Sequence, residues 1–101
     1  MAHLTHQPRQ LRKTRLVVSN EFGLHVRAAA MLVKIAESLD AQLTIQCGKH
    51  RANAKSIMSL LSLGVSKGTP ICALAEGPKA DEMIRAVDDL FARRFHEAAI
   101  Q

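Results

Sequence analysis

Ala41-Gln42-Leu43-Thr44-Ile45-Gln46-Cys47, then Gly48-Lys49, then His50-Arg51-Ala52-Asn53, is the stretch that decides the architecture. Ala41, Leu43, Ile45 and Cys47 point one way and Gln42, Thr44 and Gln46 the other. Such alternation belongs to a strand with one face on a core and the other in water. Gly48-Lys49 suits a tight turn, so residues 50–53 form a short return strand. An antiparallel pair of this kind needs cover on one face only.

The flanking sequence supplies that cover. Upstream, residues 26–39 switch to a helical period: Ala29, Leu32, Ala36 and Leu39 share a face, flanked by Val33 and Ile35. The alanines at 28–30 are strong helix formers, and Asp40 ends the run. Further upstream, residues 12–19 read as a strand, with Leu16 and Val18 on one face and Arg15, Val17 and Ser19 on the other. Asn20-Glu21-Phe22-Gly23 breaks it. Downstream, residues 56–63 are a short apolar block, with Ser56 placed to N-cap a helix and Gly64 to C-cap it. After the Lys67-Gly68-Thr69-Pro70 turn, residues 71–76 form a strand with Ile71, Ala73 and Ala75 inward. Gly77-Pro78 opens a last helix over residues 79–96, with Ile84, Val87 and Phe91 on its apolar face and Met83 and Leu90 beside it. Asp81 and Glu82 in its first turn, and Arg93, Arg94 and His96 near its end, suit the helix dipole. The order β-α-β-β-α-β-α predicts an α+β fold, a two-layer open-faced β-sandwich. Its antiparallel four-stranded sheet is covered on one face by three helices. Residues 1–10 are polar and read as a flexible N-terminal arm before a single domain over 11–101.

Composition narrows the function. The chain has 101 residues, 48% of them hydrophobic, and 14 Lys+Arg against 9 Asp+Glu give a net charge of +5. That length fits one core and leaves no room for the cleft of a multi-substrate enzyme. No apolar run approaches the roughly 20 residues of a membrane span, so no membrane insertion is expected. The first ten residues contain no apolar stretch of the secretory type, and the expected location is the cytoplasm. Cys47 and Cys72 are too few for a disulfide scaffold and read as free thiols. The basic residues are scattered, Trp and Tyr are absent and Phe numbers only three, which disfavours a nucleic-acid surface and favours an acidic protein partner. No metal is expected, because no second His or Cys stands at ligand spacing from His25, and no cofactor is expected.

The chemistry concentrates in Asn20-Glu21-Phe22-Gly23-Leu24-His25-Val26-Arg27-Ala28-Ala29. A strand ends, a glycine permits a sharp turn, and a histidine stands one residue before a helix. With His25 as N-cap, the free N–H groups of the first turn point past its ring. The positive end of the dipole favours an anion there and disfavours an imidazolium. A neutral imidazole is a competent nucleophile toward phosphorus, and Arg27 is placed to pair with phosphoryl oxygens. The plain alternative is a surface histidine that merely begins a helix.

Three segments in order lift this above an isolated His-x-Arg: Gly23-Leu24-His25-Val26-Arg27-Ala28-Ala29, Lys55-Ser56-Ile57-Met58-Ser59-Leu60-Leu61-Ser62-Leu63-Gly64, and Lys67-Gly68. With them the chain resembles the histidine-containing phosphocarrier proteins, the HPr family, of the bacterial phosphoenolpyruvate-dependent phosphotransferase system. The match spans about residues 11–97. The resemblance implies that His25 accepts a phosphoryl group from phosphorylated Enzyme I and passes it to a downstream EIIA-type acceptor. It implies that Arg27 neutralises the group and that the carrier works as a monomer. It also implies a regulatory phosphorylation of Ser56 by a Ser kinase/phosphorylase. A docking surface follows from Phe22, Met58 and Leu61, with Arg51, Lys55 and Lys67 as a basic rim. On so short a helix at least one of the apolar residues must be exposed. Ser56 capping its helix and Ser56 as a switch are compatible.

One position departs from the family pattern: Ala28 stands where Pro is usual. Ala28 frees the backbone at Arg27, an entropic difference of about 0.4–1 kcal/mol, so transfer is expected to persist. Ala75-Glu76-Gly77-Pro78 and Asp89-Leu90-Phe91 look like the nitrogen-related branch of the family, whereas Lys55-Ser56-Ile57-Met58 looks like the sugar branch. Two rival readings remain: a regulatory binding module acting through Ser56 with His25 silent, and a small basic nucleic-acid-binding protein.

Overall fold

A computed structural model describes residues 10–97. Along them run β1 (Leu11–Val17), α1 (Val26–Ser38), β2 (Gln42–Cys47), β3 (His50–Asn53), α2 (Ile57–Ser62), β4 (Pro70–Glu76) and α3 (Ala80–Ala92). The strands form one sheet in the order β1-β4-β2-β3, every neighbouring pair antiparallel. The alternation of the opening stretch fixes which face is covered. Leu43 and Ile45 of β2, Ala52 of β3, and Ile71, Ala73 and Ala75 of β4 are buried under the helices. Leu32 of α1, Leu60 of α2, and Met83 and Val87 of α3 meet them in one core. Removing the side chain of any of these large residues costs about 2–5 kcal/mol.

The α+β sandwich with three helices on one face is therefore present as expected. Its element ends shift for physical reasons. β1 stops at Val17, because Val18 leaves the ladder to bond the loop after α2: Val18 donates to Thr69 O at 3.1 Å and accepts from Gly68 N at 2.7 Å. α2 is capped by Leu63, with Gly64 one residue beyond at φ +64°, where a left-handed residue ends the turn. α3 is rotated relative to the expected face: Met83 is fully buried and Ile84 only half-buried. Leu39 and Cys47, expected inward, are half-buried at the margin of the core.

The largest correction is at the C-terminal end. The helix expected to reach residue 96 ends at Ala92. Arg94, Phe95 and His96 then take φ values of 52°, 55° and 57°, three consecutive left-handed residues with no glycine among them. Each costs about 1–2 kcal/mol in that conformation. Phe95 offsets part of this: it is 3% exposed, and its ring meets that of Phe91 edge-on at 4.7 Å. Of the expected N-terminal arm, residues 1–9 lie outside the described residues, while Gln10 accepts a hydrogen bond from Gly77 N at 2.9 Å.

Candidate functional site

The loop from β1 to α1 is pinned to the loop that follows α2. Leu24 N donates to Val65 O at 3.0 Å, and Lys67 Nζ lies 3.3 Å from Glu21 Oε1. Gly23 sits at φ +62°, and a Cβ there would fall 2.5 Å from Val65 O and 2.8 Å from Ser66 Cα. Only glycine fits. These contacts join the Gly23-Leu24 turn to the segment that leads into Lys67-Gly68.

His25 follows as the N-cap of α1, with extended backbone at φ −86° and ψ 179°. Its carbonyl accepts the first helical bond from Ala29 N at 2.8 Å. No side chain caps this helix. The amides of Val26, Arg27 and Ala28 thus have no acceptor among the described residues. Ala28 is buried, and unlike a proline it keeps its N–H in that first turn.

The imidazole is held from its far edge. His25 Nε2 lies 3.0 Å from Glu97 Oε2, with His25 31% and Glu97 16% exposed. The same Oε2 accepts from Asn20 Nδ2 at 2.6 Å, and Oε1 accepts from Glu21 N at 3.1 Å. Asn20, 1% exposed, also donates to Gly23 O at 2.7 Å, so one amide ties the glycine turn to the carboxylate. Burial alone pushes the Glu97 carboxyl up. Hydrogen bonds from Asn20, His25 and Glu21 N–H, with the charge of His25, outweigh it and hold the group below its ordinary value. A carboxylate only accepts hydrogen bonds, so Nε2 carries the proton and, in the neutral ring, Nδ1 holds the lone pair. Phe22 meets the ring edge-on, centroids 5.9 Å apart.

Arg27 is exposed and makes no hydrogen bond or ion pair among the described residues. Ser56 N-caps α2, its Oγ accepting from Ser59 N at 3.1 Å. Of the expected docking residues, Phe22 is 65% and Met58 77% exposed, while Leu61 is half-buried against the core. Val26 adds a further exposed apolar side chain next to His25. Lys55 is exposed immediately before Ser56. Arg51 is not brought to this region. It lines a hollow on the helix-free face of the sheet with Leu11, Gln42, Thr44, Leu74 and Glu76. β3 alternates, so burying Ala52 turns Arg51 to the opposite face. Lys67 spends part of its charge on Glu21.

Glu97 and Asn20 were not among the residues that the sequence singled out. The spacing of Phe91 and Phe95 is itself helical, so it masks the reversal that returns Glu97 to a loop 72 residues away. Among the described residues, no cluster of three or more His, Cys, Asp or Glu is arranged for a metal ion, and no helix is long and apolar enough to cross a membrane.

Comparison with known proteins points the same way as this geometry. Residues 12–93 match the family model PTS-HPr, described as the PTS HPr component phosphorylation site. Phosphocarrier protein NPr of Shewanella violacea is 36% identical over 85 residues, which cover 84% of this chain and 93% of that protein. Phosphocarrier protein HPr of Xylella fastidiosa is 37% identical over 82 residues, covering 81% of this chain and 92% of its own length. The crystal structure of HPr-C-His from Thermoanaerobacter tengcongensis superposes with a TM-score of 0.81 at 37% identity, covering 87% of this chain and 99% of that one.

Proposed function

This chain belongs to the HPr family of phosphotransferase-system phosphocarriers, and from that premise we propose that it carries its phosphoryl group on His25. It takes the group from phosphorylated Enzyme I and gives it to an EIIA-type acceptor, as a monomer in the cytoplasm. The observation that supports this most directly is the open start of α1. His25 offers Nδ1 beside amides that have no other acceptor among the described residues, and Arg27, two residues further on, is uncommitted there.

The residues divide the work. Nδ1 attacks phosphorus. The first-turn amides and the positive end of α1 meet the charge on the phosphoryl oxygens. Arg27 supplies a full positive charge that can swing in when the group arrives. Phe22, Val26 and Met58 form the apolar part of the docking surface, and Lys55 adds positive charge at its edge, which raises the association rate in a salt-dependent way.

The test is intact-mass analysis after incubation with phosphoenolpyruvate and Enzyme I. An acid-labile phosphoryl adduct on the native chain, absent in His25→Ala, is the expected result. No adduct on the native chain would refute the carrier reading.

Ser56 is the regulatory position in this proposal. A phosphoryl group there adds about −1.5 to −2 charges at the start of α2, next to exposed Met58, and weakens docking onto an acidic partner. Ser56→Asp is expected to slow uptake from Enzyme I while leaving the fold intact; uptake at the native rate would remove Ser56 from the regulatory scheme.

A further inference from the structure

The contact between His25 and Glu97 asks for a role of its own, and the answer rests on the phosphocarrier reading. We infer that Glu97 is a positioning residue for phosphoryl transfer: its carboxylate holds the Nε2–H of His25 so that Nδ1 alone faces the incoming phosphorus, and its charge balances the one the ring acquires.

Three observations carry this. The carboxylate is built in rather than draped over the site. It accepts from Asn20, Glu21 and His25, all within the loop that also contains Gly23. Its partner Asn20 is fully buried, so the carboxylate is held from the protein interior. The chain also adopts a strained backbone to deliver it. Arg94, Phe95 and His96 are left-handed without glycine, with Phe95 anchored on Phe91, and Glu97 is the next residue. Strain of this kind concentrates where a side chain must be aimed. Finally, Glu97 touches the Nε2 edge of the ring. Its negative charge therefore lies across the imidazole from Nδ1 rather than beside the phosphoryl oxygens.

The step balances. The Nδ1 lone pair forms the bond to phosphorus as the donor's bond to phosphorus breaks, and that electron pair stays with the donor. Nε2 keeps its proton. The ring becomes formally cationic and faces the Glu97 carboxylate. On hand-over the N–P electron pair returns to Nδ1 and the ring is neutral again. No proton is exchanged between ring and solvent in either direction. A carboxylate that orients an imidazole and matches its developing charge works in the same way in hydrolytic triads.

The test compares the native chain with Glu97→Gln, Glu97→Asp and Glu97→Ala, each loaded with phosphoenolpyruvate and Enzyme I. Initial rates come from intact mass. The phosphorylated ring nitrogen comes from phosphorus–nitrogen correlated NMR, and the amide spectrum of each variant reports its fold. Glu97→Gln is expected to load about 10–100-fold more slowly, with Glu97→Asp recovering part of the rate. Glu97→Ala, with Nε2 uncovered, is expected to carry part of its phosphoryl groups on Nε2. Should Glu97→Ala fail to fold, the near-isosteric Gln variant and the shorter, still charged Asp variant decide. Native rates in the variants with Nδ1 as the only site overturn the inference, as does a native chain phosphorylated on Nε2. Equal slowing of Gln, Asp and Ala with no change of nitrogen makes Glu97 merely structural and also overturns it. A native chain that takes no adduct refutes the phosphocarrier reading itself, and is thereby distinguished from the other outcomes.

Discussion

Two helices in this molecule, α1 and α2, satisfy their first turns differently. At α2, Ser56 Oγ accepts from Ser59 N and closes the cap. At α1, His25 gives its side chain to Glu97 instead, and the first-turn amides remain open. Both starts face the same problem of orphan N–H groups. α2 has six residues, too few to stand without help, so it takes the stabilising solution. α1 has thirteen residues and a long face on the core, so packing holds it and its start stays available for an anion. α3, also thirteen residues long, likewise lacks a side-chain cap, so an open start is not by itself a site; what sets the start of α1 apart is the histidine at its N-cap.

Exchanging the two solutions breaks the comparison most severely. His25→Ser places a capping hydroxyl at the start of α1. It is expected to abolish the phosphoryl adduct completely, as His25→Ala does, yet to be more stable than His25→Ala by about 0.5–2 kcal/mol. Paired thermal melts and intact-mass assays check both halves. Equal stability of the two variants would mean that the α1 start cannot be capped in this backbone.

Opening the closed cap is the reciprocal change. Ser56→Ala is expected to lower stability by about 1 kcal/mol. For a domain of this size that is a fall of roughly 4–8 °C in Tm per kcal/mol. Loading of His25 in the same variant should stay at the native rate, since Ser56 takes no part in the chemistry of the ring.

Acid separates the two starts more gently. The folded chain holds Glu97 below its ordinary value, because it favours the ionised form. Its contribution is therefore present above that ordinary value and is lost as pH falls through the lowered folded one. Melts of the native chain and Glu97→Gln are expected to converge across that acid window. The deficit of Ser56→Ala, from an uncharged cap, should stay constant there. A gap between native and Glu97→Gln that persists unchanged into strong acid would show that Glu97 contributes no charge-dependent stability.

The smallest effect is expected at Ala28. Ala28→Pro removes one of the open amides at α1 while stiffening the backbone at Arg27 by about 0.4–1 kcal/mol. The two changes oppose each other, so loading by Enzyme I should move by less than about tenfold. A change larger than that would make the third amide, or the freedom of Arg27, decisive.

Much of this was legible in the chain. The alternation of residues 41–47 located the covered face, and Leu43 and Ile45 are buried as it requires. The glycine before His25, the apolar run after it and Ser56 before Ile57 marked both helix starts, because caps and periods are written within a few residues. Residue type did not show that Lys67 leans on Glu21 or that Arg51 faces the bare side of the sheet. Those depend on strand orientation and on which loops meet.

By itself, then, the sequence determined the order of elements, the one-sided sheet and a histidine at the mouth of a helix, since each rests on local period and local capping. Only the tertiary structure decided what holds that histidine. Asn20 and Glu97 are 77 residues apart, and no local pattern connects them. They meet because the packed core brings the end of α3 beside the start of α1. There three left-handed residues, anchored by Phe95, turn the chain back and commit one ring nitrogen, leaving the other free.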